Sequence, residues 1–175
     1  MRLTETFFRR DARIVAPELA GRLLVRRTET GLLTLRISET EIYLGEADTA
    51  CHAHKGRTAR TETLYKAGGA IYVYLCYGMH WLINIVTGEA EDPQCVLIRA
   101  CEKPFDGPAK LTKHLMIDKR FNGLDIFGCE DLWIEDDGTR FRLDPLPRVG
   151  IGYADAEDQA RLWRYVIRER IDMEE

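Results

Sequence analysis

The sequence predicts an α+β fold, a single domain carried by a mainly antiparallel β-sheet with short helices beside it. Three observations lead there. A chain of 175 residues suits one domain with a real core. Its apolar runs are mostly of strand length and are separated by tight-turn signals. Few runs read as helices able to act as crossovers, so neighbouring strands are expected to reverse direction. No linker, low-complexity segment or internal repeat interrupts the chain.

Pro17 and Glu18 open a short apolar helical run that Gly21 ends, with Pro early and Gly late. Residues 22–27, rich in Leu and Val, read as a strand, and Thr28-Glu29-Thr30-Gly31 as a turn. From Leu32 a longer strand alternates, with Leu33, Leu35 and Ile37 on one side and Thr34, Arg36 and Ser38 on the other. Residues 51–64 lack apolar periodicity and are expected to be loop with a helical turn. Gly68-Gly69 breaks the chain before Ile71-Tyr72-Val73-Tyr74-Leu75-Cys76-Tyr77-Gly78-Met79-His80, a strand that runs into a turn and returns through residues 81–86. Residues 95–100 give another strand, and Pro108 starts a short amphipathic helix over 109–115. Asn122-Gly123 signals a turn. Residues 132–135 and 139–143 flank Asp136-Asp137-Gly138, which predicts a hairpin. Residues 148–153 read as a last strand and 159–168 as a helix.

Hydrophobic residues at 45% and charged residues at 31% are ordinary for a soluble globular protein. No apolar stretch is long enough to span a bilayer, and Met1-Arg2-Leu3-Thr4-Glu5 lacks signal-peptide form, so no membrane partner is expected. Five cysteines without a Cys-x-x-Cys pair point to reduced thiols in a cytosol. A net charge of −4 argues mildly against nucleic acid. The charge is uneven, however. Acids crowd residues 155–175, while basic residues gather at Arg9-Arg10-Asp11-Ala12-Arg13, Arg26-Arg27, Lys55-Gly56-Arg57-Thr58-Ala59-Arg60 and over 110–120, so one basic face remains open.

Chemistry-bearing residues fall in two runs. Tyr72 and Tyr74 share one strand face, and Tyr77 is pushed to the hairpin tip. Flat rings so placed suit stacking on a planar ligand or wedging into a base stack, although a hydrophobic hairpin with wet hydroxyls would carry the same residues. In Glu39-Thr40-Glu41-Ile42-Tyr43-Leu44-Gly45, continued alternation puts Glu39, Glu41 and Tyr43 on the side of Leu33, Leu35 and Ile37. A carboxylate there must be hydrogen-bonded, paired or functional. The alternative is a strand that ends near Ser38 and leaves its acids in solvent. Cys51-His52-Ala53-His54 has histidines that point apart on an extended segment and no second ligand cluster, so no metal is expected. No Gly-x-Ser-x-Gly elbow, Walker loop or dinucleotide fingerprint is present.

An ordered series of motifs spans nearly the whole chain. It comprises Glu39 to Gly45, His52-Ala53, Gly56-Arg57-Thr58-Ala59-Arg60, Gly69, Tyr72 to His80, Asn84, Val96-Leu97-Ile98-Arg99-Ala100 and Glu102-Lys103-Pro104. It continues through Gly107-Pro108-Ala109-Lys110-Leu111-Thr112, Asn122-Gly123, Leu132-Trp133-Ile134-Glu135-Asp136 and Pro147-Arg148-Val149-Gly150-Ile151. The series resembles the alkyladenine (3-methyladenine) DNA glycosylase family. The resemblance implies a curved sheet with a protruding hairpin, one glycosylase domain over residues 1–175, and a base-excision repair enzyme. Such an enzyme flips an alkylated purine, or a deaminated one such as hypoxanthine, out of duplex DNA and hydrolyses its N-glycosidic bond to leave an abasic site.

Residue by residue, the resemblance implies that Glu41 activates a water and Arg99 helps hold it. General-base assistance of this kind is worth about 10²–10⁴-fold. Tyr74 would stack on the flipped base, Tyr43 and His52 would complete an aromatic cage selective for cationic bases, and Asn84 would disfavour guanine. Tyr77 would fill the gap in the stack, with Met79 and His80 flanking it. Lys55, Arg57, Thr58, Arg60 and Lys110 would meet DNA phosphates. No cofactor or Schiff-base lysine is implied. The expected partner is double-stranded DNA with a damaged purine, bound by a monomer. The expected location is intracellular: the cytoplasm and nucleoid of a prokaryote, or the nucleus of a eukaryote. Three departures stand out: a short connection between Pro104 and Gly107, Ala109 in place of a glycine, and Leu162-Trp163-Arg164-Tyr165 in place of Pro-Trp-Arg-Phe. The first is expected to remove one side of the DNA-facing surface. Two rival classes keep the same rings: a non-catalytic lesion-binding protein and a domain for a small planar ligand.

Overall fold

Tight local reversals order most of the strands, and one long strand ties them together. The computed structural model describes residues 1–171; of the acid-rich stretch read over 155–175, residues 172–175 lie outside the described residues. In chain order the elements are α1 (Glu5–Phe8), α2 (Ala12–Leu19), β1 (Leu23–Thr28), β2 (Gly31–Tyr43), β3 (Ile71–Cys76), β4 (His80–Val86), β5 (Cys95–Cys101), α3 (Pro108–His114), β6 (Leu132–Glu135), β7 (Arg140–Leu146), α4 (Ala156–Ala160) and β8 (Arg164–Ile171). Short 3-10 turns cover His52–Lys55, Glu62–Tyr65 and Lys119–Phe121. The strands pair in the order β3-β4-β5-β2-β1-β6, with β8 added to β2 and β7 to β8, and every pairing is antiparallel. The sheet is curled, as the α+β expectation with a hairpin and short helices requires. No helix of the described residues is long and apolar enough to cross a membrane.

β2 is the spine, because its first half pairs with β1 and its second half with β5 and β8. The main core lies on one face of the sheet, where Ile37, Ile42, Ile71, Val73, Ile83, Ile85, Val96 and Ile98 meet Val15, Ala16 and Leu19 of α2 and Leu111 of α3. β-Branched side chains suit this pleated, two-sided burial. A smaller cluster holds Cys51, Ala53, Leu64, Tyr65, Tyr72, Val86 and Cys95. All five cysteines are free thiols.

Four local expectations are corrected. The first helix does not open at Pro17 but runs from Ala12 to Leu19 with Pro17 inside it. Asp11 caps it by accepting from Arg13 N at 2.8 Å, so the charged run read as surface is a helix start. Pro17 leaves the Arg13 carbonyl without its usual donor, and the helix ends two residues later, where the carbonyl of Ala16 is met by Ala20 N and Thr40 Oγ1. Second, β6 and β7 form but do not pair with each other: β6 joins β1, and β7 joins β8. The Asp-Asp-Gly turn between them is held from outside, Asp136 by Arg22 at 2.5 Å and Asp137 by Arg36 at 2.7 Å. The chain is thus sent from one part of the sheet to another. Third, residues 148–153 form no strand, because their polar groups serve other partners. Fourth, the helix read over 159–168 is only α4 at its start, and β8 replaces the rest. Tyr165 pairs with Thr40 on one side and Pro145 on the other, ladders that a helix would forfeit.

Arg148 explains the third correction. Its guanidinium is fully buried and bonds Asp48 Oδ2 at 2.6 Å, Asp48 Oδ1 at 2.9 Å and the Ile42 carbonyl at 2.9 Å. Asp48 in turn accepts from Leu44 N and Ala50 N. This pair clamps the loop after β2 to the loop after β7. Removing one partner from a buried pair leaves an uncompensated charge. Asp48→Ala should therefore lower unfolding stability by about 3–5 kcal/mol in urea melts; a loss no larger than that of an exposed pair would contradict the clamp.

Candidate active site

β2 changes the face it presents halfway along. Leu33, Leu35 and Ile37 enter the main core, but so does Ile42, five residues on from Ile37, where strict alternation would forbid it. The cause is two register shifts in the pairing with β5, between Ile37 and Glu39 and between Glu39 and Thr40. Ile37 faces Cys101 and Glu39 faces Ala100, which leaves Ser38 extra; Thr40 faces Ile98, which leaves Arg99 extra on the partner strand. Such irregularities re-aim side chains. Glu41, Tyr43, Leu97 and Arg99 are thereby turned to the opposite face and line a cavity of about 650 Å³. Glu41 is not on the side of Leu33, Leu35 and Ile37, nor does the strand end near Ser38. Both expectations are overturned, because the phase of the strand changes before Glu41 is reached.

Glu41 has no exposed surface. Its Oε2 accepts from the Tyr43 hydroxyl at 2.7 Å, and its Oε1 accepts from Val149 N at 2.9 Å. Arg99 Nε stands 3.6 Å from Oε1, a charge contact longer than a direct hydrogen bond. Burial pushes the Glu41 carboxyl above the usual range, against the opposing pull of the Val149 N–H, the Tyr43 hydroxyl and the Arg99 charge. Burial, with the neighbouring carboxylate, also raises the Tyr43 phenol. Arg164, which bonds Glu39 at 3.0 Å, adds a more distant positive charge.

Aromatic rings form the adjoining wall. The Tyr72 hydroxyl pairs with His52 Nδ1 at 2.8 Å. His52 meets Tyr74 edge to face with centroids 4.5 Å apart, and Tyr72 lies tilted to Tyr74 at 5.5 Å. Burial, helped by the Arg60 charge, lowers the His52 pKa to about 4, so the ring is neutral at ordinary pH. Tyr43, His52, Tyr74 and Asn84 all line the cavity with Glu41 and Arg99, so the six residues expected in the pocket are brought together. Asn84 is buried, with Nδ2 on the Tyr72 carbonyl at 3.3 Å and Oδ1 accepting from Cys95 Sγ at 3.8 Å. His54 instead turns to the Glu46 carbonyl, so the two histidines diverge, and no cluster of metal-ligating side chains occurs among the described residues.

The hairpin tip stands clear of the protein. Tyr77 is 90% exposed and Met79 71%, with His80 also exposed. Tyr77 has φ +50° and Gly78 φ +67°, a left-handed pair that projects the tyrosine from the end of the turn. The expected phosphate-binding residues are not equally available. Lys55, Thr58 and Arg60 line the cavity mouth. Arg57 is held by Glu62 at 2.6 Å and Glu91 at 2.5 Å, and Lys110 by Asp106 at 2.6 Å on an exposed helix turn.

Sequence reading missed the Val149 amide, the Arg148–Asp48 clamp that positions it, and Tyr153, whose ring lines the cavity with its hydroxyl on the Ala50 carbonyl at 2.7 Å. Residues 148–153 read as a strand in sequence, and Gly150, here at φ +75°, is the contrary signal.

The family model described as "Methylpurine-DNA glycosylase (MPG)" matches residues 6–106 and 102–171. Three relatives bear the name "Putative 3-methyladenine DNA glycosylase". The one from Borrelia garinii subsp. bavariensis is 42% identical over 175 residues, covering 93% of this chain and 94% of its own length. The one from Psychrobacter cryohalolentis is 41% identical over 191 residues, covering 92% and 89%. The one from Natranaerobius thermophilus is 38% identical over 192 residues, covering 97% and 96%.

Tyr43→Phe should push the Glu41 carboxyl titration further up, because a donor to the charged form is lost while burial remains. A titration of the carboxyl carbon followed by NMR reads this directly, and an unmoved midpoint would remove Tyr43 from the control of that charge.

Proposed function

The chain belongs to the methylpurine-DNA glycosylase family, and on that premise we propose that it extrudes alkylated purines into the slot beside Glu41 and hydrolyses them with a carboxylate-activated water. It is a DNA glycosylase for alkylated bases, a hydrolase of N-glycosyl bonds. The reading of its mechanism rests on one observation, a fully buried carboxylate in the same cavity as a neutral aromatic cage.

The chemistry follows from that juxtaposition. The C1′–N bond breaks with its electron pair going to the base, and positive charge develops on the deoxyribose. The Glu41 carboxylate stabilises that charge and takes a proton from the water that adds to C1′. Arg99 keeps the carboxylate ionised and oriented. A base made cationic by alkylation leaves as a neutral molecule and needs no acid. Tyr74, Tyr43 and neutral His52 favour such a cation through ring quadrupoles. A neutral hypoxanthine must gain a proton as it leaves, so its release is the more pH-sensitive of the two. Asn84, buried in the same cavity with its amide already engaged by Tyr72 and Cys95, disfavours guanine by conflict with its exocyclic amine. Tyr77 fills the space vacated in the duplex. Lys55, Thr58 and Arg60 are the phosphate contacts nearest the mouth, while Arg57 and Lys110 must first exchange a carboxylate for a phosphate. The protein acts where DNA lies, in the cytoplasm of a prokaryote or the nucleus of a eukaryote.

Glu41→Gln should retain lesion binding and lose base release by about 10²–10⁴-fold in chromatography of alkylated duplex; near-normal release would displace Glu41 from the reaction. The folded state raises this carboxyl's pKa, so it binds a proton more tightly than the unfolded chain. Its contribution to stability therefore falls as pH rises through that window. The same variant should be at least as stable as the parent at neutral pH. Tyr77→Ala should cut discrimination between damaged and intact duplex in binding titrations, and equal affinities in parent and variant would remove the wedge.

A further inference from the structure

Arg60 is the arginine of its basic segment that lines the cavity. Whereas Arg57 is clasped by Glu62 and Glu91, Arg60 makes no ion pair among the described residues. Its guanidinium carbon lies 5.6 Å from the centroid of Tyr74, over the ring, within the range of a cation–π contact. His52 meets the same ring edge to face and Tyr72 lies tilted to it, so the guanidinium is the planar cation placed over it. Arg60 also lines the cavity together with both residues. It thus lies over the ring on which the proposed base would stack.

A guanidinium is planar, delocalised and positively charged. So is a methylated purine still joined to its sugar. The two compete for one aromatic face. We propose that Arg60 occupies the stacking surface of Tyr74 in the free protein and must be displaced before a base can enter. This rests on the reading of the slot as a base site and adds to it a built-in competitor. The exposed side chain is free to swing, and a phosphate of the extruded nucleotide can receive it once it leaves the ring. Displacement imposes the same threshold on every base. A damaged base that saturates the slot loses little by it, whereas an intact base that visits briefly is held back in proportion.

The test uses ligands without sugar or phosphate, so that no backbone contact by Arg60 can contribute. They are 3,9-dimethyladeninium, a fixed cation, and neutral 9-methyladenine, each titrated against parent, Arg60→Gln, Tyr74→Leu and the double variant. Ring resonances of His52 report binding by NMR. The expected result is that the neutral probe binds Arg60→Gln about two- to fivefold more tightly than it binds the parent. The cationic probe should gain at least as much, and the gain should vanish in the Tyr74→Leu background, where the ring is gone. A neutral probe indifferent to Arg60, with only the cation responding, would reduce Arg60 to simple charge repulsion and overturn the proposal while leaving the base site intact. Failure of both probes to bind any version would overturn the base site as well.

Discussion

A carboxylate with no exposed surface is the constraint around which the molecule is arranged. Glu41 can be ionised with no exposed surface only if donors meet both of its oxygens, and its partners come mostly from distant parts of the chain. Tyr43 shares its strand, Val149 belongs to the loop after β7, and Arg99 to β5. The Arg148–Asp48 clamp fixes the residue next to Val149 and so fixes the donor. Even with this support burial wins, and the carboxyl stays more basic than an ordinary glutamate. A group poised in that way accepts a proton more readily than an ordinary glutamate does.

The sequence was legible wherever the governing interaction is local. The hairpin from Ile71 to Val86 was readable because alternation and a glycine turn lie within one short run, and Ile71 and Val73 do separate from Tyr72 and Tyr74 as that alternation requires. The family was readable from the order of motifs, and the pocket residues named through it do share a cavity. What failed depended on partners remote in sequence. The Asp-Asp-Gly segment has the local marks of a hairpin, but Arg22 and Arg36 decide where it goes. Residues 148–153 look extended, yet they spend their polar groups on Asp48 and Glu41. The face of Glu41 was misread because the phase change is a property of two strands together.

Charge tells a similar story. A net charge of −4 conceals arginines that are individually neutralised, such as Arg9 by Glu5, Arg10 by Glu18 and Arg120 by Asp118. Exposed pairs of this kind are worth little, about 0–1 kcal/mol each. A phosphate can therefore replace a carboxylate at small cost, and an acidic chain can still meet a polyanion. Among the exposed cations, Lys55 and Arg60 line the cavity itself.

Ser38 and Arg99 stand as compensating extra residues on facing strands. Ile37, Thr40 and Ile42 reach the core side together only because Ser38 stands outside the count. Losing Ser38 alone would restore plain alternation, with Glu41 still turned to the cavity, but would leave Arg99 as an unmatched residue on β5. Losing Arg99 as well would even the two strands and delete the guanidinium beside the acid. The paired irregularity thus lets β5 hold a cation next to the carboxylate while both strands stay equal in length.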